Sequence, residues 1–250
     1  MKKLFYTLTL LLCLTSCAAA DTPPAEAPTP LTVSTESHHL LASDQDGQRI
    51  LAEFDYQTII LSAADAAQYP VLAEKLAQQN RESAAYAEEF LAWAEDFALQ
   101  GAADEEYFYP YFSRQEHMVQ RADSTVLSIR TDWSEFTGGA HSNYGTVCLN
   151  YDSATGRELV LTDVITDMTA FRKAVVDHLQ QLDCPFPLDH VDETIALYGG
   201  EFDFIWSLSD QGIAVYFNPY DIAPFAAGRL IAEISFEQAP DLFHETYLPR

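Results

Sequence analysis

The run Thr137-Gly138-Gly139-Ala140-His141-Ser142-Asn143-Tyr144-Gly145 concentrates more usable chemistry than any other stretch of this chain. A histidine can carry a proton or contact a ligand near neutral pH. Adjacent glycines in a strand region mark a bulge, a bend or the close approach of another backbone. Gly138, Gly139, His141, Asn143 and Tyr144 are therefore the candidate ligand-binding residues. The plainer alternative is that the glycines shape a bulge while His141 hydrogen-bonds nearby backbone. Ser142 and His141 are neighbours, which is the wrong geometry for a nucleophile and its base on one strand.

Other site chemistry is sparse. The sequence has no G-x-S-x-G elbow, no phosphate-binding glycine loop and no G-x-G-x-x-G. His244-Glu245 lacks the second histidine of a zinc-protease helix. His38 and His39 are adjacent, and on a strand they point to opposite faces. Ser43-Asp44-Gln45-Asp46-Gly47 starts like a calcium loop but lacks the later ligands, so it reads as a turn. With 38 acids, some carboxylate pair at catalytic distance is inevitable, and acid count alone identifies no glycosidase. No catalytic residue, no metal and no cofactor is expected.

The elements that must position these residues follow from periodicity. Thr32 to Leu41 and Ile50 to Leu61 predict a hairpin around the 43–47 turn. Ala64 to Leu99 predicts a long helix, with Leu72, Leu76, Tyr86, Phe90, Trp93 and Phe97 on one face and Pro70 in or near its first turn. That aromatic stripe is read as packing on a sheet. Tyr107 to Ala122, Ser124 to Phe136 and Tyr144 to Tyr151 predict strands, the last closed by the Asp152-to-Gly156 turn. A helix near Met168 to Leu182, turning Phe171, Val175, Leu179 and Leu182 inward, stops at Cys184-Pro185-Phe186-Pro187. A short helix over Val191 to Tyr198, a hairpin around Asp210-Gln211-Gly212 and a last strand from Arg229 to Phe236 complete the body. Clustered strands with few helices, rather than alternating βαβ units, predict an α+β fold. The expectation is a largely antiparallel sheet or sheets, one long helix in the N-terminal half and one or two in the C-terminal half, packed on one face.

The chain start predicts an address. Lys2 and Lys3 precede a short apolar run, Leu4 to Leu14, and Leu14-Thr15-Ser16-Cys17 has the form of a bacterial lipoprotein signal. Residues 1–17 are read as that signal, with Cys17 lipidated, so the membrane is a partner through the anchor and the body is extracytoplasmic. Acyl chains contribute about 0.8 kcal/mol per buried methylene. Residues 18–31, rich in Pro and Ala and free of aromatics, are read as an extended tether. Two units are expected beyond it, 32–136 and 137–250.

Composition narrows the partners. Thirteen basic and 38 acidic residues give a net charge of −25, which repels nucleic acid and anionic headgroups and attracts cationic partners. Solubility alone would also explain an acidic exported protein. Cys148 and Cys184 either bridge, closing a loop worth about 3–4 kcal/mol, or remain buried thiols.

Gly138-Gly139-Ala140-His141, Leu149-Asn150-Tyr151-Asp152 with Gly156-Arg157-Glu158-Leu159, and Leu161-Thr162-Asp163-Val164 together resemble a family of bacterial extracytoplasmic domains. So does Phe217-Asn218-Pro219-Tyr220-Asp221-Ile222-Ala223-Pro224-Phe225-Ala226-Ala227-Gly228. These domains occur in the lysozyme-sensing anti-sigma factor RsiV, in the peptidoglycan deacetylase PdaC ahead of its catalytic domain, and in lipoproteins of unknown function. The resemblance runs from Thr137 to Phe236; residues 32–136 look like the partner domain that usually precedes it. It implies an α+β fold at the cell surface and, from the anti-sigma member, binding of lysozyme; it supplies no catalytic residue. The resulting expectation is a non-enzymatic surface lipoprotein that senses an envelope ligand, either a cationic lysozyme-like hydrolase or peptidoglycan. The alternative from another class is an envelope glycan hydrolase or deacetylase centred on His141 with Asp132 or Asp163.

Overall fold

A computed structural model describes residues 27–100, 108–200 and 203–248; of Leu99 only the backbone is described. The predicted signal segment with Cys17, and residues 18–26 of the tether, lie outside the described residues.

The order of elements is β1 (Val33–Ser43), β2 (Ile50–Leu61), α1 (Ala63–Gln68), α2 (Pro70–Leu99), β3 (Tyr111–Ala122), β4 (Val126–Phe136), β5 (Asn143–Asp152), α3 (Leu161–Val164), α4 (Met168–Leu179), α5 (Val191–Ile195), β6 (Ile205–Leu208), β7 (Gly212–Phe217) and β8 (Leu230–Ser235). Strands β1 to β5 form one sheet in sequence order, and β6 to β8 form a second. Every pairing is antiparallel except β2 with β3. The α+β, mainly antiparallel architecture is thus as predicted.

The parallel pair arises because α1 and α2 carry the chain back across the sheet, making one βαβ crossover where none was expected. The predicted single helix is two. Pro70 has no amide to donate and pushes Tyr69 out of the helical region (φ −121°, ψ 62°), so α1 ends and α2 starts afresh at the proline.

Helix α2 covers one face of the first sheet. Leu72 and Leu76 meet Ile59, Leu127, Ile129 and Tyr151 under its first half, and Phe90 and Ala94 meet Phe54, Tyr56 and Tyr111 under its second. A polar belt separates these two apolar clusters where β2 leaves β3. There His117 stands between Thr131 and the Gln57 carbonyl, and Asn80 of α2 bonds both backbone groups of Ile59. The second sheet has its own core. Phe171, Val175 and Leu179 of α4 and Ile195 of α5 pack on Leu208, Val215, Phe217 and Ala232. The helices therefore serve two different sheets.

The second sheet stands on the other face of the first. The free edge of β6 ends on side chains of that face: Ser128 Oγ accepts from the Leu208 amide at 2.9 Å, and Asn150 Nδ2 donates to the Trp206 carbonyl at 2.8 Å. Strand β5 belongs to the first sheet, so the boundary expected after residue 136 falls between two hydrogen-bonded strands. Cys148 and Cys184 are free thiols.

Candidate functional site

The glycine-histidine run forms the loop from β4 to β5. Gly138 and Gly139 take φ of +99° and +95°, a region only glycine enters cheaply, and so turn the chain between the strands rather than bulging one of them. The ring of exposed His141 stacks on Phe225, centroids 4.3 Å apart, and its Nδ1 lies 3.0 Å from the Ser142 carbonyl. Tyr144 meets the same phenyl edge-on at 5.4 Å, and Tyr220 lies 5.6 Å from it. Phe225 belongs to the connection between β7 and β8. Two segments that are distant in sequence are thus locked together by four rings. Asn143 opens β5 opposite Glu135 and takes no part in the ring cluster.

A second clamp lies one step further along β5. The amide of Asn218 spans the free edge of that strand: its Oδ1 accepts from the Thr146 amide at 2.7 Å and its Nδ2 donates to the Thr146 carbonyl at 3.0 Å. An asparagine side chain carries the same donor and acceptor as a strand residue, so it caps the edge as a partner strand would. Asp221 holds Asn218 in place by accepting its amide at 2.7 Å.

Behind the clamps sits a charged cluster. Asp132 Oδ1 accepts from Arg229 at 2.6 Å and from Thr146 Oγ1 at 2.7 Å, while its Oδ2 accepts from Arg130 at 3.0 Å. Arg229 also donates to Thr146 Oγ1. Both guanidiniums lie near the Tyr216 ring, at 5.6 and 6.0 Å. Cys148 borders the cluster, and burial pushes its thiol up to about 12, outweighing the two arginines. It is a poor nucleophile there.

This arrangement assigns roles to the predicted residues. Asp132 is satisfied by two arginines and a hydroxyl, and is not a partner of His141. Asp163 is held below the ordinary carboxylate range by the Arg157 guanidinium, 2.7 Å away, and accepts the Val160 amide. The pairing of His141 with either acid is therefore not formed. Among the described residues no group of three or more His, Cys, Asp or Glu is placed to hold a metal. Asn218, Arg229, Arg130 and Thr146 were not singled out as site residues from sequence. Asn218 stands in the Phe217-to-Gly228 motif, but nothing local shows that its partner is Thr146, 72 positions earlier.

Beside the cluster the surface opens into a cavity of ≈ 570 Å³, lined among others by Arg114, Glu116, Asp132, Tyr144, Arg229 and Ile231. It lies on the part of the first sheet that the second sheet leaves uncovered.

The fold and this junction define a two-sheet α+β module joined by loop clamps. Residues 200–237, which span the β6 to β8 meander, match the family described as "Protein of unknown function (DUF3298)". Two solved structures share the fold over most of the chain. A member of the DUF3298 family from Bacteroides fragilis is 22% identical, covers 88% of this chain and 96% of its own, and has a TM-score of 0.59. A DUF3298 family protein from Pseudomonas aeruginosa is 19% identical, covers 89% of this chain and 99% of its own, and has a TM-score of 0.61. No curated protein matches the chain in sequence.

Proposed function

We propose that this chain is a lipid-anchored, extracytoplasmic recognition module of the RsiV and PdaC type, whose ligand is a cationic envelope-associated protein such as a lysozyme. The observation that carries the reading is the outward surface of α2. Beyond Arg81 that helix exposes Glu82, Glu88, Glu89, Glu95 and Asp96 with no basic residue among them. The outer edges of Tyr86, Trp93 and Phe97, between 43% and 46% exposed, lie along the same helix. Large aromatics rimmed by charge are what protein interfaces use, and the net charge of −25 accelerates encounter with a cation. The lipoprotein signal read at Leu14 to Cys17 supports the location, and the chemistry around His141 supports binding over turnover.

The test is calorimetry with hen lysozyme at physiological salt, repeated with Glu88, Glu89 and Glu95 changed to Gln. Binding that weakens with salt and with the triple change supports the reading. No heat of binding, or binding indifferent to both, rejects lysozyme as the ligand.

A further inference from the structure

The second face of the first sheet is only half covered, and the uncovered half is built like a sugar-binding trough. Its floor is set by register. Phe112 faces Phe136, Arg114 faces Ser134 and Glu116 faces Asp132 across β3 and β4. Directly opposed residues share a face, and alternate pairs repeat it, so these six side chains form two parallel rows. Four residues along a strand cover about 14 Å. Arg229, just before β8, and Ile231, within it, stand as the wall beside the charged end.

The two ends differ in chemistry. At one, a cavity of ≈ 380 Å³ is lined by Glu53, Tyr109, Pro110, Phe112, Phe136 and Ser142. The Phe112 and Phe136 rings lie 6.0 Å apart and within 27° of parallel, and the Arg114 guanidinium lies over Phe112 at 4.8 Å. Tyr109 is 69% exposed. At the other end is the ≈ 570 Å³ cavity with Arg114, Arg229, Glu116 and Asp132. Both volumes fall in the range of small-ligand sites.

Flat rings followed by planar, bidentate polar groups match the surface of a pyranose chain. Its C–H faces stack on aromatics, and its hydroxyls take up guanidinium donors and carboxylate acceptors in pairs. Charge selects among such ligands. The two cavities together carry two arginines against three acids, Glu53, Glu116 and Asp132, so the trough has no positive excess to attract a phosphate or a polyacid, and the chain at −25 repels both. The straight run of strand favours an extended chain over a branched one. We propose that this trough binds a neutral, extended, β-linked oligosaccharide, with Tyr109, Phe112 and Phe136 as the stacking surface and Arg114, Glu116 and Arg229 as the hydroxyl contacts. The site lies on the face of the sheet opposite α2, so it is independent of the protein-binding reading above.

The experiment is titration calorimetry of the whole body with the N-acetylglucosamine hexamer and with cellohexaose. The expected result is binding of at least one at up to millimolar concentration. Tyr109→Ala and Phe136→Ala should each weaken it about tenfold, the loss of one aromatic contact, and Trp93→Ala, on the α2 side, should leave it unchanged. Tyr109 is exposed enough that its removal should spare the fold, which a melting curve checks. Absence of heat with both hexamers overturns the proposal. So does binding that the trough variants leave intact, or that Trp93→Ala abolishes. A lysozyme signal that survives the trough variants leaves the two readings separately decided.

Discussion

Arg121 Nη1 donates to the backbone carbonyl of Tyr247 at 2.7 Å, tying the β3–β4 corner to a residue 126 positions later. The same guanidinium holds Asp123 through Nε at 2.6 Å, and Asp123 in turn accepts the amides of Thr125 and Val126 that shape the turn. Arg121 reaches this place through a bulge. Val119 pairs with Ile129 on the α2 side, but Arg121 pairs with Ser128, so one extra residue moves its side chain to the opposite face.

Removing that arginine strands a buried carboxylate and a buried carbonyl. The side chain is 3% exposed. Arg121→Met is therefore expected to cost about 3–5 kcal/mol, the usual loss when one partner of a buried pair is deleted. Urea unfolding at neutral pH measures it. A loss below about 1 kcal/mol, the scale of surface pairs, would show that the tail anchor is unimportant.

His117 gives stability a pH dependence. The Gln57 carbonyl can only accept, so Nε2 carries the proton and Nδ1 accepts from Thr131 Oγ1. Burial lowers the pKa from its ordinary 6.5, outweighing the backbone bond that favours the charged form. The unfolded chain then binds more protons than the folded one between that lowered value and 6.5. This contribution is whole above pH 6.5 and is lost as pH falls toward the folded pKa. Unfolding free energies at pH 7.5 and pH 5 in the parent and in His117→Gln should show a smaller acid loss in the variant. Equal losses would remove His117 as the cause.

The glycines separate by surroundings. Gly212 has φ +151°, and an added Cβ would sit 2.1 Å from the Ile234 carbonyl oxygen across the β7–β8 pair. Gly139 also has positive φ, but nothing lies within 4 Å of the same position. Gly212→Ala should cost about 3 kcal/mol or more and Gly139→Ala about 1 kcal/mol, backbone strain alone. Thermal unfolding of the two variants orders them, and the reverse order would contradict the packing of that hairpin.

Cys148 should resist alkylation while folded. A thiol pushed up to about 12 presents little thiolate at pH 8. Iodoacetamide labelling followed by mass spectrometry should find Cys148 modified on the order of a thousandfold more slowly than in urea. Comparable rates would mean that the site opens readily.

Local pattern was sufficient for the strands and for α4 and α5, though not for the break at Pro70 that divides α1 from α2. Alternation marked β1 to β5, and the spacing of Leu72, Leu76 and Phe90 marked the buried side of α2, while Tyr86, Trp93 and Phe97 of the same stripe stay half exposed. These signals survive because they depend on neighbours within one or two turns of chain. Net charge was equally plain in composition, being a sum over residues.

The candidate site was legible only as fragments. The Gly138-to-Tyr144 run and the Asn218-to-Gly228 run each stood out, yet neither carries a sign that His141 and Tyr144 would close on Phe225 or that Asn218 would cap Thr146. Tertiary structure alone decided that contact, the parallel entry of β3 beside β2, the membership of β5 in the first sheet, and the trough left bare on its second face. Periodicity tells a strand which side is apolar, but hydrogen-bond partners and uncovered faces are settled by which distant segments fit together, and that information belongs to no single stretch of sequence.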